Sequence, residues 1–69
     1  MLFQDIRDFS IVARNLENSG LSEERIVNIL ANLMISFANG NVNNIRYWVR
    51  YHSNVMSPLV LQAANKFLG

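Results

Sequence analysis

The apolar residues of the chain fall into four blocks of helical period, separated by short polar breaks. The most apolar block runs from Arg25 to Ala38, RIVNILANLMISFA. At about 100° per residue, Ile26, Val27, Ile29, Leu30, Ala31, Leu33, Met34, Ile35, Phe37 and Ala38 cover roughly two-thirds of a helical wheel. Only Asn28, Asn32 and Ser36 interrupt them, four apart, as one narrow polar stripe. A surface helix has the opposite proportion of apolar to polar face. The pattern therefore predicts a central helix over about 22–38 that needs neighbours on several sides. It is too short, and too interrupted by asparagine, to cross a bilayer, which takes about 20 predominantly apolar residues.

The ends of this helix are marked. Ser22 is placed to accept a backbone N–H of the first turn, and Glu23 and Glu24 put negative charge at the positive end of the helix dipole. Asn39-Gly40 follows the last apolar residue; both residues tolerate the left-handed conformation that closes a helix. Asn-Gly also favours hairpins, but the flanking period is helical, so a helix stop is expected.

Residues 2–18 predict an amphipathic helix, with Leu2, Ile6, Phe9, Ala13 and Leu16 on one face, Phe3 and Val12 widening it, and Ile11 projecting away from it. Asn18-Ser19-Gly20 breaks the helix, and Leu21 before the Ser22 cap is positioned as a hydrophobic staple against Ile26. A third helix is expected from about Asn44 to Asn54, with its cap somewhere in Asn41-Val42-Asn43-Asn44. On it Ile45, Trp48, Val49 and His52 share a face, Arg46 and Arg50 lie one turn apart on another, and Tyr47 and Tyr51 form a row between solvent and core. Ser57-Pro58 starts a last helix, Leu59 to Leu68, with serine as cap and proline where its missing N–H costs nothing.

Composition narrows the picture. Sixty-nine residues with no cysteine make one expected domain, 1–69, near the lower size limit for an unaided core and without disulfides or thiolate metal ligands to help it. Just over half of the residues are apolar, as in globular chains. A net charge of +1 argues by itself for neither nucleic acid nor a membrane surface. The start, MLFQDIRDF, has neither the basic and apolar regions of a signal peptide nor the composition of a transit peptide. An intracellular, cytoplasmic protein is expected, with no membrane partner.

Three groups of residues are candidates for chemistry. Val12 to Leu30, VARNLENSGLSEERIVNIL, has the outline of helix, glycine-containing turn and second helix, and in this general pattern it resembles DNA-binding helix-turn-helix units. That resemblance implies a second helix entering the major groove, with Arg25, Asn28 and Asn32 as nucleic-acid-binding residues able to bond guanine and adenine edges. Two features depart from the pattern. Leu16 stands where closely crossed helices prefer a small residue, and Glu23-Glu24 at the start of the second helix repels phosphates. The second group, Arg46 to His52, interleaves basic and aromatic residues. It suits single strands and also protein interfaces, where Trp, Tyr and Arg concentrate binding energy. Spacing sends Trp48 inward and leaves Arg46, Tyr47, Arg50 and Tyr51 as a partner-binding row. The third is the Asn28, Asn32 and Ser36 stripe, which together with Ile11 and Ile35 is a candidate oligomer interface; Val55 and Val60 are further apolar residues left over for self-association.

Parts for catalysis are lacking. His52 is the only histidine, no nucleophile signature accompanies it, and no phosphate loop, paired cysteines or calcium loop is present. Asp5 and Asp8 are accounted for by the helix dipole. The expectation is an all-α, compact four-helix domain whose central helix is covered by three shorter amphipathic ones. It is expected to act as a self-associating protein-interaction or regulatory module without enzymatic activity, metal or cofactor. A helix-turn-helix nucleic-acid binder, using residues 12–30 or the Arg46/Arg50 face, is the alternative.

Overall fold

Four helices wrap one apolar core in a computed structural model that describes residues 6–69. They are α1 (Ile6–Glu17), α2 (Glu23–Phe37), α3 (Val42–His52) and α4 (Pro58–Leu68), with a single 3-10 turn, Ser53–Val55, between α3 and α4. The domain is thus all-α, with the longest helix central and shorter ones around it. Its radius of gyration of 10.9 Å is that of a compact chain of this length, about 11 Å. The expected contributions of Leu2, Phe3 and Asp5 to the first helix fall outside the described residues.

α2 is central because it packs against each of the other helices, most extensively against α4. Both helices present small buried residues, Ala31 on α2 and Ala63 and Ala64 on α4, and small side chains shorten the distance between helix axes. The fully buried arc of α2 is narrower than its apolar arc. Ile26, Val27, Leu30, Ala31 and Met34 are buried, whereas Ile29, Leu33, Ile35 and Phe37 are half-buried flanks and Asn28, Asn32 and Ser36 face solvent. α1 contributes Ile6, Phe9 and Ala13 to the core. Phe9 meets the edge of Phe37 at a centroid distance of 5.3 Å and 77°, a favoured aromatic geometry. This contact gives half-buried Phe37 a defined place at the margin of the core.

Local chemistry sets the boundaries. Ser22 accepts the Arg25 N–H at 3.3 Å, as its position predicts. At the other end Asn39 has φ 62° and Gly40 φ 75°. The Asn39 and Gly40 N–H groups donate to the Ser36 and Ile35 carbonyls at 3.0 and 2.9 Å, which is the Schellman closure.

Three expectations need correction. α3 starts at Val42, two residues before the expected Asn44, because the Asn41 side chain is the cap, accepting the Asn43 N–H at 2.9 Å. Asn44 instead lies within the helix and its Nδ2 donates to the Ala38 carbonyl at 3.0 Å, joining α3 to the end of α2. α3 ends at His52 because residues 53–55 tighten into the 3-10 turn. Val60, expected as a leftover apolar residue, is 1% exposed in the core. Leu21 remains 40% exposed beside the α2 cap.

Candidate partner-binding site

α3 divides cleanly into two faces. Ile45 and Trp48 are buried, Trp48 at 7% exposure, and half-buried Val49 and His52 extend the same side. Arg46, Tyr47, Arg50 and Tyr51 occupy the opposite arc and all are exposed. The spacing that places Ile45 and Trp48 inward thus leaves a continuous basic-aromatic arc outward.

The arc has internal order. The rings of Tyr47 and Tyr51, one turn apart, lie 4.8 Å between centroids at a tilt of 46°, yet the residues are 53% and 60% exposed. His52 meets Tyr47 edge-on at 5.7 Å and 65°. Arg46 donates through its guanidinium to Asn43 Oδ1 at 2.9 Å, which steadies it beside the tyrosines. Aromatic side chains have few rotatable bonds and lose little entropy on binding, and mutual packing reduces the loss further.

Charge along the chain is segregated. All acidic residues lie at or before Glu24, and every charged residue from Arg25 onward is basic. The elements that adjoin α3 most closely, α4 and the 3-10 turn, accordingly hold no carboxylate side chain. No carboxylate side chain of α3, α4 or the 3-10 turn offsets Arg46 and Arg50, which suits them to an acidic ligand.

The other candidate residues are placed as follows. Arg25, Asn28 and Asn32 are exposed on the outward side of α2, behind the equally exposed Glu23 and Glu24. Leu16, in the last turn of α1, is half-buried against the core. Ile35 is half-buried at the margin of the Asn28–Asn32 stripe, and Ile11 is 60% exposed on α1. Ile11 lines a shallow groove of about 510 Å³ with Ser10, Arg14, Val55 and Met56. Asn28 lines a different one of about 590 Å³ between α2 and α4, with Glu23, Glu24, Val27, Gln62, Asn65 and Lys66. Ile11 on α1 and Asn28 on α2 thus line separate grooves.

No protein-family model matches this chain, and neither a curated protein nor a solved structure is significantly similar to it.

The α2–α4 groove is the feature that the helical periods did not reveal. Its lining comes from the start of α2 and the end of α4, and only the antiparallel packing of the two brings Glu23 and Glu24 beside Gln62, Asn65 and Lys66. The signal for its acidic half was the segregation of charge at Glu24. Among the described residues no group of three His, Cys, Asp or Glu side chains is arranged to hold a metal ion, and no helix is long and apolar enough to cross a membrane.

Proposed function

We propose that this protein is a non-catalytic intracellular interaction module that binds an acidic protein surface through Arg46, Tyr47, Arg50 and Tyr51. The observation that carries this reading is the exposed, mutually packed Tyr47–Tyr51 pair on the same helix arc as the exposed Arg46 and Arg50. Tyrosine and arginine dominate the energy of protein interfaces. Here they stand on a rigid helix whose other face is anchored by Ile45 and Trp48, so little order must be gained on binding.

A protein surface is favoured over a nucleic acid by the size of the basic footprint. Two arginines neutralise few phosphates, and affinity for a nucleic-acid backbone rises with the number neutralised. A single helix face with two aromatic anchors is instead the scale of a hot spot.

The test is an NMR titration of the isotopically labelled full chain with a Glu/Leu-containing acidic peptide and, separately, with single-stranded oligothymidylate and duplex DNA. Shifts confined to residues 43–52 on adding the peptide, abolished by Arg46→Glu with Arg50→Glu, support the reading. Stronger binding of oligothymidylate at the same residues transfers the site to nucleic acid. Shifts at Arg25, Asn28 and Asn32 with duplex DNA restore the helix-turn-helix reading in its place.

A further inference from the structure

The same chain displays a surface complementary to the α3 row. The groove between α2 and α4 is lined by the exposed Glu23 and Glu24, by the amides of Asn28, Gln62 and Asn65, by Lys66 and by the buried Val27. Two carboxylates answer two guanidinium groups there. The amides supply both donors and acceptors for tyrosine hydroxyls. We infer that the α3 row of one copy docks in the α2–α4 groove of a second copy, so that self-association and capture of any other acidic partner compete for Arg46, Tyr47, Arg50 and Tyr51. This inference rests on the reading of the α3 row as a binding surface and names its first occupant.

The geometry supports a contact between copies rather than within one. The row and the groove share no residue, and each is open to solvent in the single chain. Row and groove can meet reciprocally across a two-fold axis as an isologous pair; met only once per copy, the contact is heterologous and closes into a ring or extends as a chain. Charge attraction across such a contact is screened by salt. Assembly therefore has the character of a switch read by ionic strength and concentration. At high concentration the row is occupied by sister copies, and on dilution it becomes free for a partner. Lys66 is the one charge of the groove with the wrong sign, and it weakens the contact.

Sedimentation velocity of the full chain from micromolar to millimolar concentration, in dilute and in high salt, tests the inference. The expected result is an average mass that rises above 7.9 kDa with concentration in dilute salt and falls back in high salt. Arg46→Glu with Arg50→Glu, and separately Glu23→Arg with Glu24→Arg, should each weaken association by at least about tenfold through like-charge opposition. An equimolar mixture of the two variants should associate again, because each supplies the charge the other has reversed. Lys66→Gln should strengthen association. Circular dichroism of each variant checks the fold. Should reversal at the start of α2 loosen that helix, Glu23→Gln with Glu24→Gln removes the charges with Ser22 still in place and must also weaken association. A wild-type chain that stays monomeric throughout, or association indifferent to both reversals, overturns the inference. Monomeric wild type that still binds the acidic peptide at residues 43–52 would refute the self-contact alone, whereas loss of both would refute the α3 row itself.

Discussion

The Ser57 hydroxyl donates a 2.6 Å hydrogen bond to the Glu17 carboxylate and accepts one from the Val60 N–H at 3.3 Å. One side chain thus caps α4 and fastens its start to the last turn of α1. The carboxylate also brings negative charge to the α4 N-terminus, where the helix dipole favours it. Ser10 makes a parallel connection, its hydroxyl lying 3.1 Å from both the Ile6 and Val55 carbonyls. Together these bonds hold α1 against the turn that leads into α4.

Ser57→Ala should therefore cost about 0.5–2 kcal/mol as a lost cap. Glu17→Ala alone should cost less, because the cap to Val60 survives it. In a double-mutant cycle by urea denaturation the pair should couple by about 0.5–1.5 kcal/mol, the net worth of one hydrogen bond. Simple additivity would show that the 2.6 Å contact contributes nothing.

The two leucines of α2 should behave differently. Leu30 is 0% exposed, and Leu30→Ala should cost about 2–5 kcal/mol through lost burial and the cavity left behind. In a domain this small that loss is close to the whole stability. Leu33 is half-buried, so its truncation leaves a dent open to water and a smaller loss. Equal losses in the two variants would contradict the orientation of α2 described here.

Asn39 offers a test of backbone conformation without packing. Its φ of 62° lies where a Cβ costs roughly 1–2 kcal/mol, a cost that asparagine offsets in part by local hydrogen bonding and that alanine carries in full. Asn39→Gly should be neutral or stabilising, and Asn39→Ala destabilising, as read from urea midpoints. The opposite order would mean that α2 does not close through Asn39.

Much of this fold was legible because its signals are local. Ser22, Ser57-Pro58 and Asn39-Gly40 each act within one helical turn, so their roles follow from position alone. The division of α3 was legible for the same reason, since Ile45 and Trp48 share a helical face in any packing. The start of α3 was not. Asn41, Asn43 and Asn44 are all competent caps, and the choice among them goes with the tertiary bond from Asn44 to the Ala38 carbonyl. Nor does periodicity distinguish Leu30 from Leu33, since both lie on the apolar arc and only the placement of α1 and α4 decides which is sealed. Val60 was misplaced because an exposed and a buried valine look alike in a short helix without a partner. The Tyr47–Tyr51 row was visible as spacing, whereas the groove that answers it joins residues far apart in sequence.

The chemistry of the α3 row can be separated by substitution without disturbing the core. Tyr47, Tyr51, Arg46 and Arg50 are exposed, so Tyr47→Ala with Tyr51→Ala should change stability only modestly, on the order of 1 kcal/mol. Arg46→Glu with Arg50→Glu should stay within about 1 kcal/mol of wild type, the larger part from losing a cation near the α3 C-terminus. Trp48→Ala, by contrast, removes a buried anchor and should cost about 3–5 kcal/mol. In titrations with the acidic peptide, neutralisation by Arg46→Gln with Arg50→Gln should lower the rate of association and weaken its salt dependence, because long-range charge steers encounter. The tyrosine truncations should mainly raise the rate of dissociation, because the aromatic contacts form only after docking. Stopped-flow measurement of both rates distinguishes the two. If the tyrosine variant dissociates no faster than wild type, the packed pair is not part of the contact, and the arginines alone would account for binding.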